Sequence, residues 1–364
     1  MSLQKLRDLI IYRDDRWYST FPSVIRKPDG GLICGFRRAP ERRLQPGGGI
    51  SHTDPNSQAV CVTSADEGLT WSPSPTLVYA HPAAGCQDPC LHLLSDGTII
   101  CTLFAWQLFA LNFAEATDLP HQVHTDSRGW PMGNLGVHVL RSTDGGTSWS
   151  EPYLIPPPPG AEDSLPGYPG RGAIRGRLVE LADGSLLMPI YGSRHPSPSY
   201  AYRSTDRGQT WEYFSTIAED TKVDFHEPHL HLCPSGKIVA FLRTAGLDGY
   251  LALCHSLDGG KTWSEWKRSE VWGHPFTTAV APDGRVLVAY GYRREPFGIR
   301  CLLTDPECER LDLSEELILR DDLANHDIGY TWAVTLGDGS ILIAYYANIE
   351  DGTRFIAGSV VSVT

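Results

Sequence analysis

Side chains able to move protons or hold anions recur in this chain at matching stations, each just before or just after an apolar run. Glu227, between His226 and Pro228, precedes HLHLCPSGKIVAFLR, a run that ends on Arg243. His274 opens a second run that closes on Tyr292, Arg293 and Arg294, and Tyr330 follows Gly329 ahead of TWAVTLGDGSILIAYY, with His326 and Asp327 just upstream. Toward the N-terminus the same stations carry Trp17 to Pro22 with Arg37 to Arg43, Gln87 and Asp88 with Trp106, and Arg171 and Arg175 with Tyr191 and Arg194. Ordinary loop ends favour small polar residues, whereas imidazoles, phenols and carboxylates are the groups of general acid–base catalysis. Glu227 stands out, because a lone carboxylate ahead of an apolar strand is otherwise rare. His226, His274 and His326 hold equivalent places and are expected to line a common funnel without a metal ion.

Residues so far apart meet only if the runs between them are arranged in a ring. The segments KPDGGLICGF, LSDGTIICTLF, LADGSLLMPIYG, CPSGKIVAFLR, APDGRVLVAYG and LGDGSILIAYY each set an Asp-Gly or Ser-Gly turn between two apolar runs, the signature of a tight β-hairpin. Their turn glycines, Gly30, Gly97, Gly184, Gly236, Gly284 and Gly339, recur at blade-sized intervals. With 36 Gly and 27 Pro among 364 residues, turns are many and helices few. The expected fold is all-β, a single domain over residues 1–364 forming a six-bladed β-propeller of four-stranded antiparallel blades. Its geometry sends the start of every inner strand and the end of the next strand to one funnel. LRDLIIYRD is expected to close beside RFIAGSVVSV, which removes free sheet edges. The longest insertion, at about 105–136 and carrying Trp106, Phe109, His121, His124 and Trp130, is expected to overhang the funnel as a rim.

The formal charge of −12 argues against nucleic-acid or anionic-membrane partners, which demand a basic excess. No apolar run is long enough to span a bilayer, and MSLQKLRDLIIYRDD lacks the pattern of a secretory signal, so a bacterial cytoplasmic location is expected. The nine cysteines agree with a reducing compartment, since most, such as Cys34, Cys61, Cys101, Cys254 and Cys301, sit in apolar runs where a thiol acts as a small hydrophobe. Cys86 and Cys90 lack a second Cys/His pair that would make a zinc site.

Four further segments, SADEGLTW at 64–71, STDGGTSW at 142–149, STDRGQTW at 204–211 and SLDGGKTW at 256–263, close the outer hairpins of their units. They resemble Asp boxes (BNR repeats), and the whole chain resembles the six-bladed propeller of the sialidase (neuraminidase) superfamily. The resemblance implies that the boxes lie opposite the pocket and that a fifth box has decayed to LLTDPECERLD. It further implies roles. FHEPHLHLCPSGKIVAFLR is similar to the segment carrying a catalytic Glu and a carboxylate-binding Arg, which fall on Glu227 and Arg243. DIGYTWAV resembles the segment of the tyrosine nucleophile, which falls on Tyr330. HTDPNSQAVCVTSADEG resembles the acid/base loop, which puts that role on Asp54. GYRREPFGIRC supplies a further arginine, Arg294 or Arg293.

A phenol suits a sugar whose anomeric carbon bears a carboxylate, because an anionic nucleophile would be repelled, and sialidases are the tyrosine exception to paired-carboxylate hydrolysis. The implied activity is that of a retaining exo-α-sialidase-like glycoside hydrolase, free of cofactor and metal, acting on a terminal acidic sugar. One departure stands out: where the family has an arginine in Y/F-R-I-P, STFPSVIRKPDG has Thr20, leaving Arg37, Arg38, Arg175 or Arg194 as replacements. His226, His274, His326 and Trp106 complete the expected substrate contacts. A polysaccharide lyase using His, Tyr and Arg on uronate-containing glycans, and a non-catalytic glycan-binding propeller, are the rival readings.

Overall fold

Each Asp-Gly turn works by the same local device. At 94–98 the Gly97 amide donates to the Leu94 carbonyl at 3.0 Å, Asp96 Oδ1 accepts the Thr98 amide at 2.9 Å, and Gly97 takes φ +87°, a conformation open to residues without a Cβ. The apolar runs on either side then pair antiparallel and are buried on both faces, as in Val286–Tyr292. The computed structural model describes residues 3–43, 48–49, 52–110, 112, 124–125, 129–159, 161, 172–192 and 195–363. Arg171, Arg194, His121 and the His124 side chain lie outside the described residues.

Six antiparallel units of four strands make up the ring, blade 2 carrying in addition the short strand His124–Thr125. Blade 1 runs Trp17–Arg26, Leu32–Pro40, Gln58–Ser64, Thr76–Tyr79; blade 2 runs Gly85–Leu93, Ile99–Leu108, Pro131–Ser142, Tyr153–Leu154; blade 3 runs Val179–Glu180, Leu186–Tyr191, Ser199–Ser204, Glu212–Ala218. Blade 4 runs Asp224–Leu232, Ile238–Ala245, Tyr250–Ser256, Lys267–Trp272; blade 5 runs Phe276–Val280, Val286–Tyr292, Gly298–Thr304, Leu317–Arg320; blade 6 runs Gly329–Thr335, Ile341–Asn348, Arg354–Val363, Leu3–Tyr12. Blade 6 joins the two ends of the chain, Leu3–Tyr12 pairing antiparallel with Arg354–Val363, the closure expected from sequence. Apolar clusters fill the spaces between successive blades: Phe21, Val24 and Leu32 of blade 1 pack with Trp332, Leu342 and Ile356 of blade 6. The two ends of the 105–136 segment are continuations of blade 2 strands, Ile99–Leu108 and Pro131–Ser142.

The Asp boxes fall between the third and fourth strands. In the box of blade 4, Ser256 Oγ accepts the Gly260 amide at 2.8 Å, and Asp258 Oδ1 takes the Thr262 amide at 3.0 Å while its Oδ2 takes the Thr262 hydroxyl at 2.7 Å. Ser256 pairs with Ile238, at the opposite end of its neighbour from Arg243, so boxes and funnel occupy opposite faces.

The inner strands share a second irregularity. Their pairing slips at the same station in blades 1, 2, 4 and 6, between Thr20 and Ser23, Gln87 and Cys90, His226 and His229, and Gly329 and Trp332. Each slip leaves one non-glycine residue left-handed: Phe21 at φ +57°, Asp88 at +47°, Glu227 at +46° and Tyr330 at +50°. Such conformations cost roughly 1–3 kcal/mol apiece and persist where surrounding packing enforces them. The same station holds Arg175 in blade 3 and His274 in blade 5. Six inner strands thus present Phe21, Asp88, Arg175, Glu227, His274 and Tyr330 toward one axis.

Candidate active site

Glu227 and Tyr330 are buried, 3% and 7% exposed, yet both sit at the start of inner strands where the funnel opens. The bulges turn their side chains to one another. Tyr330 donates its hydroxyl to Glu227 Oε1, and Arg243 donates from Nη1 to Glu227 Oε2 at 2.8 Å and to the Tyr330 oxygen at 3.3 Å. Arg243 reaches this point because it closes the second strand of blade 4, directly across from His226. Three side chains assigned separately on sequence form one hydrogen-bonded cluster.

Electrostatics separate their protonation states. Burial alone would raise the Glu227 pKa, but the charge and hydrogen bond of Arg243, the Tyr330 hydroxyl and the charge of Arg293 hold it down at about 2. Burial and the Glu227 charge push the Tyr330 phenol above its ordinary value, against the pull of Arg243. The resting arrangement is a neutral phenol hydrogen-bonded to a carboxylate, with a guanidinium touching both oxygens.

Of the two blade 5 arginines, Arg293 is the one at the site. Its Nε and Nη2 donate to the Ile328 carbonyl at 3.0 and 2.9 Å, Nη2 reaches the Tyr346 hydroxyl at 3.3 Å, and its guanidinium lies 5.1 Å from the Tyr330 ring centroid. Arg294 is exposed, stacks on Trp272 at 4.3 Å and donates to the Asp248 carbonyl at 3.3 Å. Consecutive residues on a strand end face opposite ways, so only one of the pair can turn inward.

The remaining arginines are fully enclosed. Arg175, 2% exposed, donates from Nη2 to the carbonyls of Pro22 at 2.7 Å and Tyr330 at 2.8 Å, and its charge lies 5.3 Å from the rings of Tyr330 and Trp332. It is an axial clamp beneath the funnel floor that joins blades 1 and 6, a different place from the substrate contact expected of it. Arg37, paired in register with Thr20 and wholly buried, donates to the Cys86 carbonyl at 3.2 Å and the His52 carbonyl at 2.9 Å. It lies beside Thr20, where the resemblance led an arginine to be expected, but holds backbone. Thr20 is buried beside it, its Oγ1 without a hydrogen-bond partner among the described residues.

Asp54 is buried at 2% exposure and paired with Arg42, and its Oδ1 accepts the Asn56 amide at 2.9 Å. Asp88, named among the pocket stations but given no role, has the contrasting environment. It is 2% exposed, its Oδ1 has no hydrogen-bond partner among the described residues, and burial pushes its pKa up to about 8, with Glu227 adding and Arg175 opposing. The signal that could have found it is the D-P dipeptide of GCQDPCLHL, matching E-P in FHEPHLHL.

The histidines divide. His226 lies 5.4 Å from the Tyr191 ring, centroid to centroid, and burial lowers its pKa. Burial, with the charges of Arg243 and Arg293, brings His274 to about 3, so it is neutral, and its Nε2 has no hydrogen-bond partner among the described residues. His326 is exposed, and its neighbour Asp327 takes the inward place instead. Asp327 accepts from Tyr346 at 2.8 Å, Tyr18 at 3.0 Å and Arg354 at 3.0 Å and contacts His52 Nε2 at 3.1 Å, fixing the wall behind Tyr330. Trp106 packs edge-on against Phe104 at 5.9 Å.

Comparison with known proteins agrees with the fold. The sequence profile of the BNR repeat-like domain matches residues 116–343. A protein of unknown function from Dyadobacter fermentans is 39% identical over 100% of both chains, with a TM-score of 0.92. A mutant NanB sialidase from Streptococcus pneumoniae superposes with a TM-score of 0.67 at 14% identity, over 95% of this chain and 68% of that one. An intramolecular trans-sialidase from Ruminococcus gnavus does so with a TM-score of 0.63 at 15% identity, over 95% and 94%. At 14–15% identity the likeness is one of fold. No curated protein matches the chain.

Proposed function

From a chain that belongs to the BNR repeat-like family, with the propeller of the sialidase superfamily, we infer a retaining exo-glycoside hydrolase that acts on a terminal anionic sugar. The observation that carries this reading is the cluster of Tyr330, Glu227 and Arg243 at the mouth of the ring.

The chemistry follows from the protonation states. Tyr330 oxygen attacks the anomeric carbon while its proton passes to Glu227 Oε1, already its hydrogen-bond partner. The bond to the leaving oxygen breaks, and that oxygen takes a proton from a carboxylic acid of the site. Water, giving a proton to that same carboxylate, then attacks the anomeric carbon on the face the leaving group left, opposite Tyr330; the bond from carbon to the Tyr330 oxygen breaks, Glu227 returns the proton to the phenolate, and configuration is retained.

Two carboxyls compete for proton donation. Asp54 holds the position implied by family resemblance, and its carboxylate is engaged by Arg42. Asp88 carries its proton at neutral pH in the arrangement observed. The anionic-substrate reading rests on charge: Arg243 and Arg293 bear two positive charges against one on Glu227, while Asp88 and His274 are neutral. A buried excess of guanidinium favours a substrate carboxylate.

A screen of chromogenic sialosides, other 2-keto sugar acids, uronides and neutral glycosides, with Tyr330→Phe as control, tests the proposal. Turnover of an acidic glycoside that vanishes in the variant supports it. Cleavage of neutral glycosides alone removes the anionic substrate, and an unsaturated, ultraviolet-absorbing product replaces hydrolysis by elimination.

A further inference from the structure

On the face opposite the funnel, at the junction of blades 4 and 5, the chain breaks its own repeat at two places that meet beside a histidine. The first is the residue opening each inner hairpin turn, which is Lys27, Leu94, Leu181, Ala281 and Leu336 in five blades and Cys233 in blade 4. The second lies in the decayed box of blade 5. Four intact boxes place a left-handed glycine four residues after the box serine, at Gly68, Gly146, Gly208 and Gly260. Four residues after Thr304 stands Cys308, left-handed at φ +54° with its amide donating to the Asp305 carbonyl at 2.9 Å.

A Cβ at three of those glycines would press on the preceding blade, at Ile33, Ile100 and Leu187 respectively for Gly146, Gly208 and Gly260. The corresponding blade 4 residue is the smaller Val239, which packs in one cluster with Cys233 and Cys308. The histidine is His231, on the inner strand of blade 4 at the position that His92 holds in blade 2.

A ring nitrogen of His231 and the two sulfurs lie within 4.8 Å of one another, and all three residues are buried, at 6%, 3% and 6% exposure. Among the described residues no other group of three metal-competent side chains is so gathered. His231 Nδ1 meets Thr278 Oγ1 at 3.0 Å, and its Nε2 is buried with no hydrogen-bond partner among the described residues. A histidine whose one nitrogen is held by an outer oxygen while the other stands bare is the arrangement that metal-binding imidazoles use.

We propose that His231, Cys233 and Cys308 form a binding site for a thiophilic d10 cation of the zinc class. Cysteine and histidine are the ligands such ions select. Ligands on tetrahedral zinc stand roughly 3.5 Å apart, so small side-chain rotations would gather these three. Cys308 also lines an open groove with Lys237 and Glu309, which supplies an entry path and room for a fourth ligand. Glu307 and Glu309, held near Lys237 at 3.6 and 3.4 Å, leave the surroundings net negative. Binding releases the two thiol protons to solvent as thiolates form on the metal. The ion would fasten blade 5, whose box lacks the Ser–Asp–Thr network, to blade 4.

The test uses full-length, reduced, chelator-stripped protein. Zinc is titrated in competition with a chromophoric chelator, and cadmium is added separately to read thiolate charge-transfer absorption in the ultraviolet. One equivalent of zinc, a cadmium–thiolate band and a rise in melting temperature with zinc are expected. Cys308→Gly restores the residue that the intact boxes carry and should fold normally, while losing about 100-fold or more in zinc affinity together with the cadmium band. Cys233→Leu, which restores the residue of blades 2, 3 and 6, should behave alike. Absence of zinc uptake by the parent protein, uptake undiminished in both variants, or conversion of the pair to a disulfide in place of metal binding would overturn the site.

Discussion

Tyr330 and Glu227, 103 residues apart in the chain, share a hydrogen bond from phenol hydroxyl to carboxylate, and each is held there by a left-handed backbone at the same bulge of its blade. The bulge is what aims them. A regular inner strand would alternate its side chains between the two faces and leave neither pointing along the axis. Strain at two such residues, with two more at Phe21 and Asp88, is concentrated on one ring of stations.

Removing the phenolic oxygen tests whether that arrangement is catalytic. Tyr330→Phe should abolish turnover of the acidic glycoside, and Glu227→Gln should lower kcat by roughly 10²–10⁴ through loss of the proton acceptor. The ring of Tyr330 packs at 4.5 Å on Phe21, so the phenylalanine variant should keep its fold, as circular dichroism and the melting temperature would report. Full activity in Tyr330→Phe rules out the nucleophile.

The identity of the proton donor can be read by comparing two variants across leaving groups. Asp88→Asn should cut kcat on poor leaving groups by roughly 10²–10⁴ and much less on nitrophenyl glycosides, which need little protonation. Asp54→Asn should have a small effect, because Asp54 is spent on Arg42. The parent enzyme should lose activity as pH rises through about 8, where Asp88 gives up its proton. The reverse pattern between the variants assigns delivery to Asp54 after its ion pair opens.

The ring itself was legible in the sequence because it is built from local signals. Six Asp-Gly or Ser-Gly hairpins and four boxes each declare a turn within a dozen residues, and closure of the N-terminal strand on the C-terminal one follows from the need to cover an edge. The meeting of Glu227, Arg243 and Tyr330 was legible for the same reason, each flanking such a hairpin. What pattern alone did not reveal is direction at a strand end. Arg293 and Arg294 differ by one residue, and only the three-dimensional end of the strand decides which turns inward. Asp54 and Asp88 are both acidic residues beside prolines, and only the packed structure shows that Arg42 engages one while burial, without a hydrogen-bond partner at Oδ1, raises the pKa of the other. The cysteines were read as apolar filler, which their burial supports, but Cys233 and Cys308 meet only through the packing of adjacent blades.

Substrate charge should be felt by one arginine of the pair. Arg293→Ala should raise KM for an anionic glycoside by about 10-fold or more, since a charge-assisted hydrogen bond contributes roughly 1.5–3 kcal/mol. Arg294→Ala, which removes an exposed stacking partner of Trp272, should leave KM and kcat within about twofold. Equal effects of the two would place both guanidiniums on the substrate and displace the geometry described.

The raised pKa of Asp88 also commits the fold to a pH dependence. In the unfolded chain an aspartate ionises near 3.8, whereas in the native ring Asp88 keeps its proton to about 8. Between those values the native state binds one more proton than the unfolded state, so its share of stability is full below about 4 and declines as pH rises toward 8. One pKa unit corresponds to about 1.4 kcal/mol, so the decline amounts to a few kcal/mol. Asp88→Asn keeps the shape without the titration. Denaturant melts from pH 5 to 8 should show the parent losing stability faster than the variant, by a margin of roughly 2 kcal/mol or more. Parallel pH profiles for the two proteins would mean that Asp88 ionises freely in the folded ring, and with it would go the buried proton on which its candidacy as donor stands.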